Sequence, residues 1–142
     1  MMKIREIKRY SREAFKAVSD LIPQLSPESP PLSEEHFRKI IRTKGTHLFV
    51  AEYRNRIIGM FTLATYPIPT TDKYWIEDVV IDKSVRGKGF GREIINYAIE
   101  FARQQGAENV NLTSRPFRTE ANRLYKSIGF TLRETNAYRY NF

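Results

Sequence analysis

Trp75-Ile76-Glu77-Asp78-Val79-Val80-Ile81-Asp82 is followed, after Lys83-Ser84-Val85, by Arg86-Gly87-Lys88-Gly89-Phe90-Gly91, and no other stretch restricts the fold as strongly. The first part is rich in β-branched and aromatic residues and predicts a strand. The second packs three of the chain's seven glycines into five residues. Ile94, Ile95, Ala98, Ile99 and Ala102 then recur at helical spacing, with Arg92, Glu93, Asn96, Glu100 and Arg103 between them. The order is buried strand, glycine-rich turn, amphipathic helix.

That order points to a phosphate group. The start of a helix leaves backbone N–H groups without intrahelical partners, and the aligned peptide dipoles add partial positive charge there. Glycines let the chain turn tightly and leave those N–H groups uncovered. Arg86 and Lys88 add formal charge beside the turn. Two common phosphate loops are excluded by spacing. The P-loop requires four residues between its first glycine and Gly-Lys-Ser/Thr. The dinucleotide fingerprint requires Gly-x-Gly-x-x-Gly and an acidic residue about 20 positions later. Residues 87–91 read Gly-x-Gly-x-Gly, and the later neighbourhood, Asn109-Val110-Asn111-Leu112, has no carboxylate.

A second motif stands near the C-terminus, Ala121-Asn122-Arg123-Leu124-Tyr125-Lys126-Ser127-Ile128-Gly129-Phe130. Together with Arg86, Gly89 and Gly91, spaced as Arg-x-x-Gly-x-Gly after a hydrophobic strand, it resembles the GNAT superfamily of N-acetyltransferases. The resemblance implies that acetyl-CoA (coenzyme A) is the cofactor. Its pyrophosphate is expected over Arg86, Gly87, Lys88, Gly89, Phe90 and Gly91, and its thioester carbonyl on backbone N–H groups among Val79, Val80 and Ile81. Asn122 is implied beside the cofactor arm. Tyr125 is implied as the acid that protonates the leaving thiolate.

The chain, taken in order, supplies the rest of the fold. Lys3–Lys8 alternates as a strand. Ser11 caps a helix whose face is Ala14, Phe15, Val18, Leu21 and Ile22, ended by Pro23. Residues 23–31 hold four of the seven prolines and read as irregular. Ser33 caps a second helix carrying Phe37, Ile40 and Ile41, closing near Gly45. His47–Tyr53 and Arg56–Tyr66 form a hairpin. Residues 66–73 read as a loop before the central strand, and the helix after the glycines ends near Gly106. Glu108–Ser114 reads as a strand, Thr119–Ile128 as a helix closed by Gly129, and Phe130–Glu134 and Ala137–Phe142 as two last strands. The expected architecture is α/β: a mixed, mostly antiparallel central sheet flanked by helices, in the order β-α-α-β-β-β-α-β-α-β-β. The helix between the central strand and its successor implies one parallel crossover. No linker or repeat divides the 142 residues, which are expected to form a single domain.

Strand alternation places Glu77 on one face with Trp75, Val79 and Ile81, and Asp78 on the other. Amine acetylation needs a neutral amine, and a free alkylamine has a pKa of about 10.4. Glu77 is therefore the candidate base, directly or through water; the alternative is a carboxylate that holds a loop through backbone hydrogen bonds. His36 and His47 read as structural or surface residues, and no metal-site spacing is present. Segments 23–32 and 66–73 are candidate walls for the acceptor, with Tyr66, Trp75, Tyr138 and Tyr140 as aromatic lining.

The chain contains no cysteine, which excludes a disulfide framework and an acyl-cysteine intermediate. Attack is then direct, in a ternary complex. No apolar run is long enough to span a membrane, and the N-terminus lacks a signal-peptide core, which points to a cytoplasmic protein. Net charge is +8, but the basic residues are scattered, so a solvated basic surface is favoured over nucleic-acid binding. The expected function is acetyl transfer to a primary amine, with a small molecule as acceptor. The alternatives are a catalytically silent coenzyme A sensor and a lysine or N-terminal protein acetyltransferase. The aromatic C-terminal strand offers an edge for pairing with a second copy, as a homodimer.

Overall fold

The computed structural model describes residues 1–142. Strands β1 (Lys3–Glu6), β2 (Thr46–Tyr53), β3 (Arg56–Ile68) and β4 (Thr71–Ile81) form one antiparallel sheet in that order. Helices α1 (Arg12–Leu25) and α2 (Glu34–Arg42) cover one face. Helices α3 (Phe90–Gln104) and α4 (Thr119–Ile128) lie on the other. The expected α/β architecture is present.

The central strands are buried on both faces. In β2, Phe49 and Ala51 point to the α3 side, whereas Leu48 and Val50 point to the α1–α2 side. One core joins Phe49, Phe61, Leu63, Tyr74 and Ile76 to Phe90, Ile94, Ile95 and Ala98. The other joins Val50, Ile57, Met60 and Val80 to Val18, Leu21 and Phe37. Ser11 and Ser33 cap their helices as expected: their Oγ atoms accept from the N–H groups of Ala14 (3.1 Å) and His36 (3.0 Å). The β2–β3 turn puts Arg54 and Asn55 at φ of +52° and +60°, the left-handed values that a two-residue hairpin turn demands.

Three expectations are corrected. Pro23 lies inside α1 instead of ending it, because the helix continues until the Ser26 N–H closes on the Ile22 carbonyl (2.8 Å). Residues 66–73 are not a loop: β3 and β4 stay paired through Tyr66↔Lys73, Pro67↔Asp72 and Ile68↔Thr71. Pro67 is tolerated because it shares parity with Thr65, whose N–H turns away from β4 to the Gly45 carbonyl (2.8 Å). The donor missing at Pro67 thus faces the side where β2 has already ended.

The third correction concerns the C-terminal third. Of the strand expected over 108–114, only an isolated parallel bridge between Asn111 and Trp75 forms. The Ile76 N–H donates to the Asn111 carbonyl (2.8 Å) and the Asn111 N–H to the Tyr74 carbonyl (2.9 Å). Phe130–Glu134 and Ala137–Phe142 form no strand. Residues 131–142 are all exposed, and the last backbone donor in the chain is the N–H of Phe130. The alternating pattern is there, but a strand is stabilised by a neighbour, and this segment has none in the single chain.

Candidate active site

The glycine turn folds as a cradle. Asp82 opens it by capping a 3₁₀ turn, Lys83–Val85: its Oδ1 accepts from the Ser84 N–H (2.9 Å), and that bond holds the carboxyl below the usual aspartate range. Gly87 and Gly89 then adopt φ of +81° and +83°. A Cβ at either would meet no atom within 4 Å, so backbone conformation, not crowding, calls for glycine here. Val85 and Phe90 are buried in the core on either side and pin the exposed turn to the sheet. The Phe90 ring packs 4.9 Å from Tyr53, which leaves only its backbone facing the cradle.

None of the N–H groups from Arg86 to Arg92 donates to a protein acceptor; the first in α3 to do so is Glu93, to the Gly89 carbonyl (3.2 Å). Gly89, the N-cap residue, supplies no side-chain cap. The amides at the head of α3 therefore converge on open space with the dipole behind them. Lys88 is exposed beside them, and the Arg86 Nε–H donates to the Ile81 carbonyl (3.0 Å).

That last bond reports the orientation of β4. The Asp82 N–H donates inward, to Ile58 of β3 (2.7 Å), so alternation turns both backbone polar groups of Ile81 outward. On this outer edge β4 has no neighbour beyond the Asn111 bridge. The outer backbone edge of β4 is thus unpaired from Glu77 toward the cradle.

A β-bulge changes which side chains face which layer. Thr62 opposes Glu77 and Met60 opposes Val80, so Phe61 alone faces both Asp78 and Val79. Asp78 takes φ of +50°, a left-handed value that aspartate tolerates better than most residues. Tyr74 and Ile76 before the bulge, and Val79 and Ile81 after it, pack against the α3-side core, while Val80 is buried on the other side. Glu77 therefore does not share a face with Val79 and Ile81, as strict alternation predicts. Asp78 turns to the α1–α2 side, where it lines a cavity of about 470 Å³ with Thr62, Met60, Ile22 and His36. Desolvation, then the charge of Asp78, hold the Glu77 carboxyl above the usual glutamate range.

Helix α4 brings the second motif to the same place. Leu124 Cδ2 would lie 3.4 Å from a Cβ at Gly91, and the Arg92 guanidinium donates to the Ser127 hydroxyl (2.7 Å). Tyr125 packs half-buried against the α3-side core, its ring 5.9 Å from Phe130. Burial raises the phenol above the ordinary tyrosine value, and the Arg118 guanidinium partly offsets the rise. The Asn122 amide donates to the carbonyls of Arg115 (3.0 Å) and Arg118 (2.9 Å), fixing the loop that enters α4.

The cavity and the expected acceptor walls agree in one segment and differ in the other. Leu25, Ser26, Ser29, Pro30 and Leu32 line it, as expected for segment 23–32. Segment 66–73, Trp75, Tyr138 and Tyr140 do not. Sequence reading passed over Asp78, Thr62 and His36 as cavity residues. The left-handed bulge has no signature in the hydrophobic pattern, whereas the position of His36 three residues after the capping serine, opposite the proline-rich segment, was a usable signal.

Comparison with known proteins agrees with this geometry. Residues 11–130 match the model of the Acetyltransferase (GNAT) family. An uncharacterised N-acetyltransferase of Bacillus subtilis, YhdJ, is 33% identical over 92 residues, covering 63% of this chain and 65% of that relative. Glucosamine 6-phosphate N-acetyltransferase 1 of rice is 32% identical over 120 residues, covering 78% and 70% of the two chains. An aminoglycoside acetyltransferase from an uncultured soil sample, solved in complex with trehalose, superposes with a TM-score of 0.86 at 21% identity, over 99% of this chain and 95% of that one. The chain belongs to the GNAT acetyltransferase family. It carries an N-acetyltransferase domain, and the family's members use acetyl-CoA.

Proposed function

We propose that this protein transfers the acetyl group of acetyl-CoA to the primary amine of a small molecule by direct attack in a ternary complex. The observation that carries the proposal is the set of unpartnered amides from Arg86 to Arg92 at the head of α3, beside the unpaired outer edge of β4.

The residues fit the cofactor. The cradle amides, with Lys88 and Arg86, suit a pyrophosphate, and the absence of any Cβ at Gly87 and Gly89 leaves the approach clear. Acetyl-CoA, when bound, supplies an activated thioester. The outward Ile81 amide, with Val79 and Val80 beside it, is suited to orient that group from a rigid strand. The acceptor enters from the cavity that Asp78 lines, on the bulge next to those amides. Glu77, held above the usual carboxylate range, is a better proton acceptor than an ordinary glutamate and takes the ammonium proton, directly or through water. The nitrogen lone pair then forms the N–C bond as the C–S bond breaks, and the nitrogen gives up its second proton to water. Tyr125 Oη delivers a proton to the departing sulfur; like any tyrosine the phenol is protonated at neutral pH, and burial moves its pKa further from neutrality. Small-molecule acceptors fit a cavity of about 470 Å³ better than a protein chain would.

Release of free thiol from acetyl-CoA over a panel of small amines tests the reading. Thiol formation that depends on both amine and enzyme is expected; tight acetyl-CoA binding without release for any amine would favour a silent sensor. Two copies would pair through the exposed segment Tyr138–Phe142, and sedimentation of the chain ending at Phe130 against the full chain tests this.

A further inference from the structure

The cavity between α1–α2 and the sheet has an unusual electrostatic composition for this chain. The protein carries 24 lysines and arginines and a net charge of +8, yet none of those cations lines the cavity. Its only ionisable lining groups are Asp78 and His36. The rest is apolar, including Val18, Leu25 and Ile40, with a few hydroxyls. Arg118 reaches one rim, where it donates to the Leu25 carbonyl (2.9 Å), but its side chain is not part of the lining.

We propose that this cavity selects a primary amine whose only charge is its ammonium group and whose body is apolar, an alkylamine or arylalkylamine, with Asp78 as the counter-ion that orients the nitrogen. The inference rests on the acetyl-transfer reading of the adjacent bulge and narrows its substrate class. Such an amine arrives protonated at neutral pH, and a fixed carboxylate at the mouth of an apolar cavity attracts it by charge while the walls take its hydrocarbon. The left-handed backbone at Asp78 lies within the sheet, so the carboxylate is carried on a rigid element. The same arrangement rejects phosphorylated amines. A phosphate dianion is held best by lysine or arginine, which the lining lacks, and here it would lie near Asp78. This chain therefore departs in acceptor from its sugar-phosphate relative in rice, although the two are 32% identical.

The test compares phenethylamine, spermidine and glucosamine 6-phosphate as acceptors by thiol release, for the wild type and Asp78→Asn. Asparagine keeps the shape and tolerates the left-handed backbone. We expect phenethylamine to have the highest kcat/KM, by about tenfold or more, and Asp78→Asn to raise its KM by at least about tenfold while acetyl-CoA still shifts the melting temperature. Preference for spermidine or glucosamine 6-phosphate, or an unchanged KM in Asp78→Asn, overturns the selectivity and leaves acetyl transfer standing. No thiol release with any amine and no melting shift with acetyl-CoA overturns both. If Asp78→Asn does not fold, calorimetric titration of the wild type with phenethylamine in the presence of coenzyme A decides: heat that declines with added salt supports the inference, and no heat overturns it.

Discussion

The Arg92 guanidinium donates to the Ser127 hydroxyl across 2.7 Å, joining the first turn of α3 to the last turn of α4. No residue of α4 is fully buried, so this bond and the close approach of Leu124 to the space beside Gly91 locate a helix that the core grips only partly. The helix that presents its amides to a phosphate is thereby tied to the helix that carries Tyr125.

Loss of this tie should affect turnover more than cofactor affinity. In Arg92→Ala and Ser127→Ala the hydrogen bond goes, but every backbone amide of the cradle remains. A bond between exposed side chains contributes about 0.5–1.5 kcal/mol. A severalfold fall in kcat is expected for each variant, with little added loss in the double variant, because both remove the same interaction. Kinetics of the two single variants and the double variant check this.

Removing the Tyr125 hydroxyl should expose the acid directly. Tyr125→Phe keeps the packing against Phe130 and should lower kcat by about 10²- to 10⁴-fold. Acetyl-CoA at 100 times its Kd should still stabilise the variant by about 2.7 kcal/mol in a thermal melt. The pH dependence has a definite sign. Because burial raises the phenol's pKa, the protonated donor persists to higher pH than in free tyrosine. The alkaline loss of kcat due to Tyr125 should therefore have its midpoint above the ordinary tyrosine pKa of about 10. Equal loss of cofactor affinity and turnover in Tyr125→Phe would mean that the residue binds and does not donate.

The Glu77–Asp78 pair makes a prediction about stability. A carboxyl whose pKa is raised on folding favours the folded state below its unfolded value, and that contribution is lost as pH rises through the folded value. At pH 7 the ionised Glu77 is thus a local cost, set by desolvation first and by Asp78 second. Glu77→Gln should raise the melting temperature at pH 7, and the gain should vanish below the ordinary glutamate pKa of about 4.3. In Asp78→Asn the acidic limb of kcat should move part of the way to lower pH, because desolvation of Glu77 remains and only the repulsion by Asp78 is gone. Melting curves and rate profiles between pH 4 and 8 test both.

What could be read from the sequence followed from local physics. The strand, glycine turn and helix over 75–104 are specified by period and by glycines at left-handed positions, and both serine caps act within four residues. The bulge at Asp78 was hidden because a single extra residue reverses every later side chain without disturbing the hydrophobic pattern on either side. The β3–β4 hairpin was cut short at Pro67 because its tolerance depends on where β2 ends, a tertiary fact. The C-terminal strands failed for the converse reason: Ala137–Phe142 alternates well, but a ladder needs a neighbour that the chain does not supply. In the site, the cradle was legible, whereas the cavity, assembled from α1, α2, β2, β3 and Asp78, was visible only at its proline-rich wall.

Gly59 had no motif to announce it, and it is the position where substitution should damage the site from beneath. A Cβ there would lie 2.7 Å from Ile81 Cδ1, 3.0 Å from the Val80 carbonyl oxygen and 3.2 Å from Ile94 Cδ1. The Ile81 side chain can rotate, but the Val80 carbonyl is backbone of the strand proposed to orient the thioester, and Ile94 is fully buried in α3. Gly59→Ala must therefore push β4 and α3 away from β3. Overpacking of this kind costs about 1–3 kcal/mol. Gly89→Ala is the informative contrast: it meets no atom within 4 Å and pays only for its left-handed φ, about 1–2 kcal/mol. Both variants should melt earlier. Gly59→Ala should lose kcat because the β4 amides shift relative to Tyr125, whereas Gly89→Ala should lose acetyl-CoA affinity because the cradle amides turn aside. Denaturant melts, cofactor titrations and steady-state rates on the two variants separate these effects, and equal losses of affinity and kcat in both would contradict the division of roles between strand and helix.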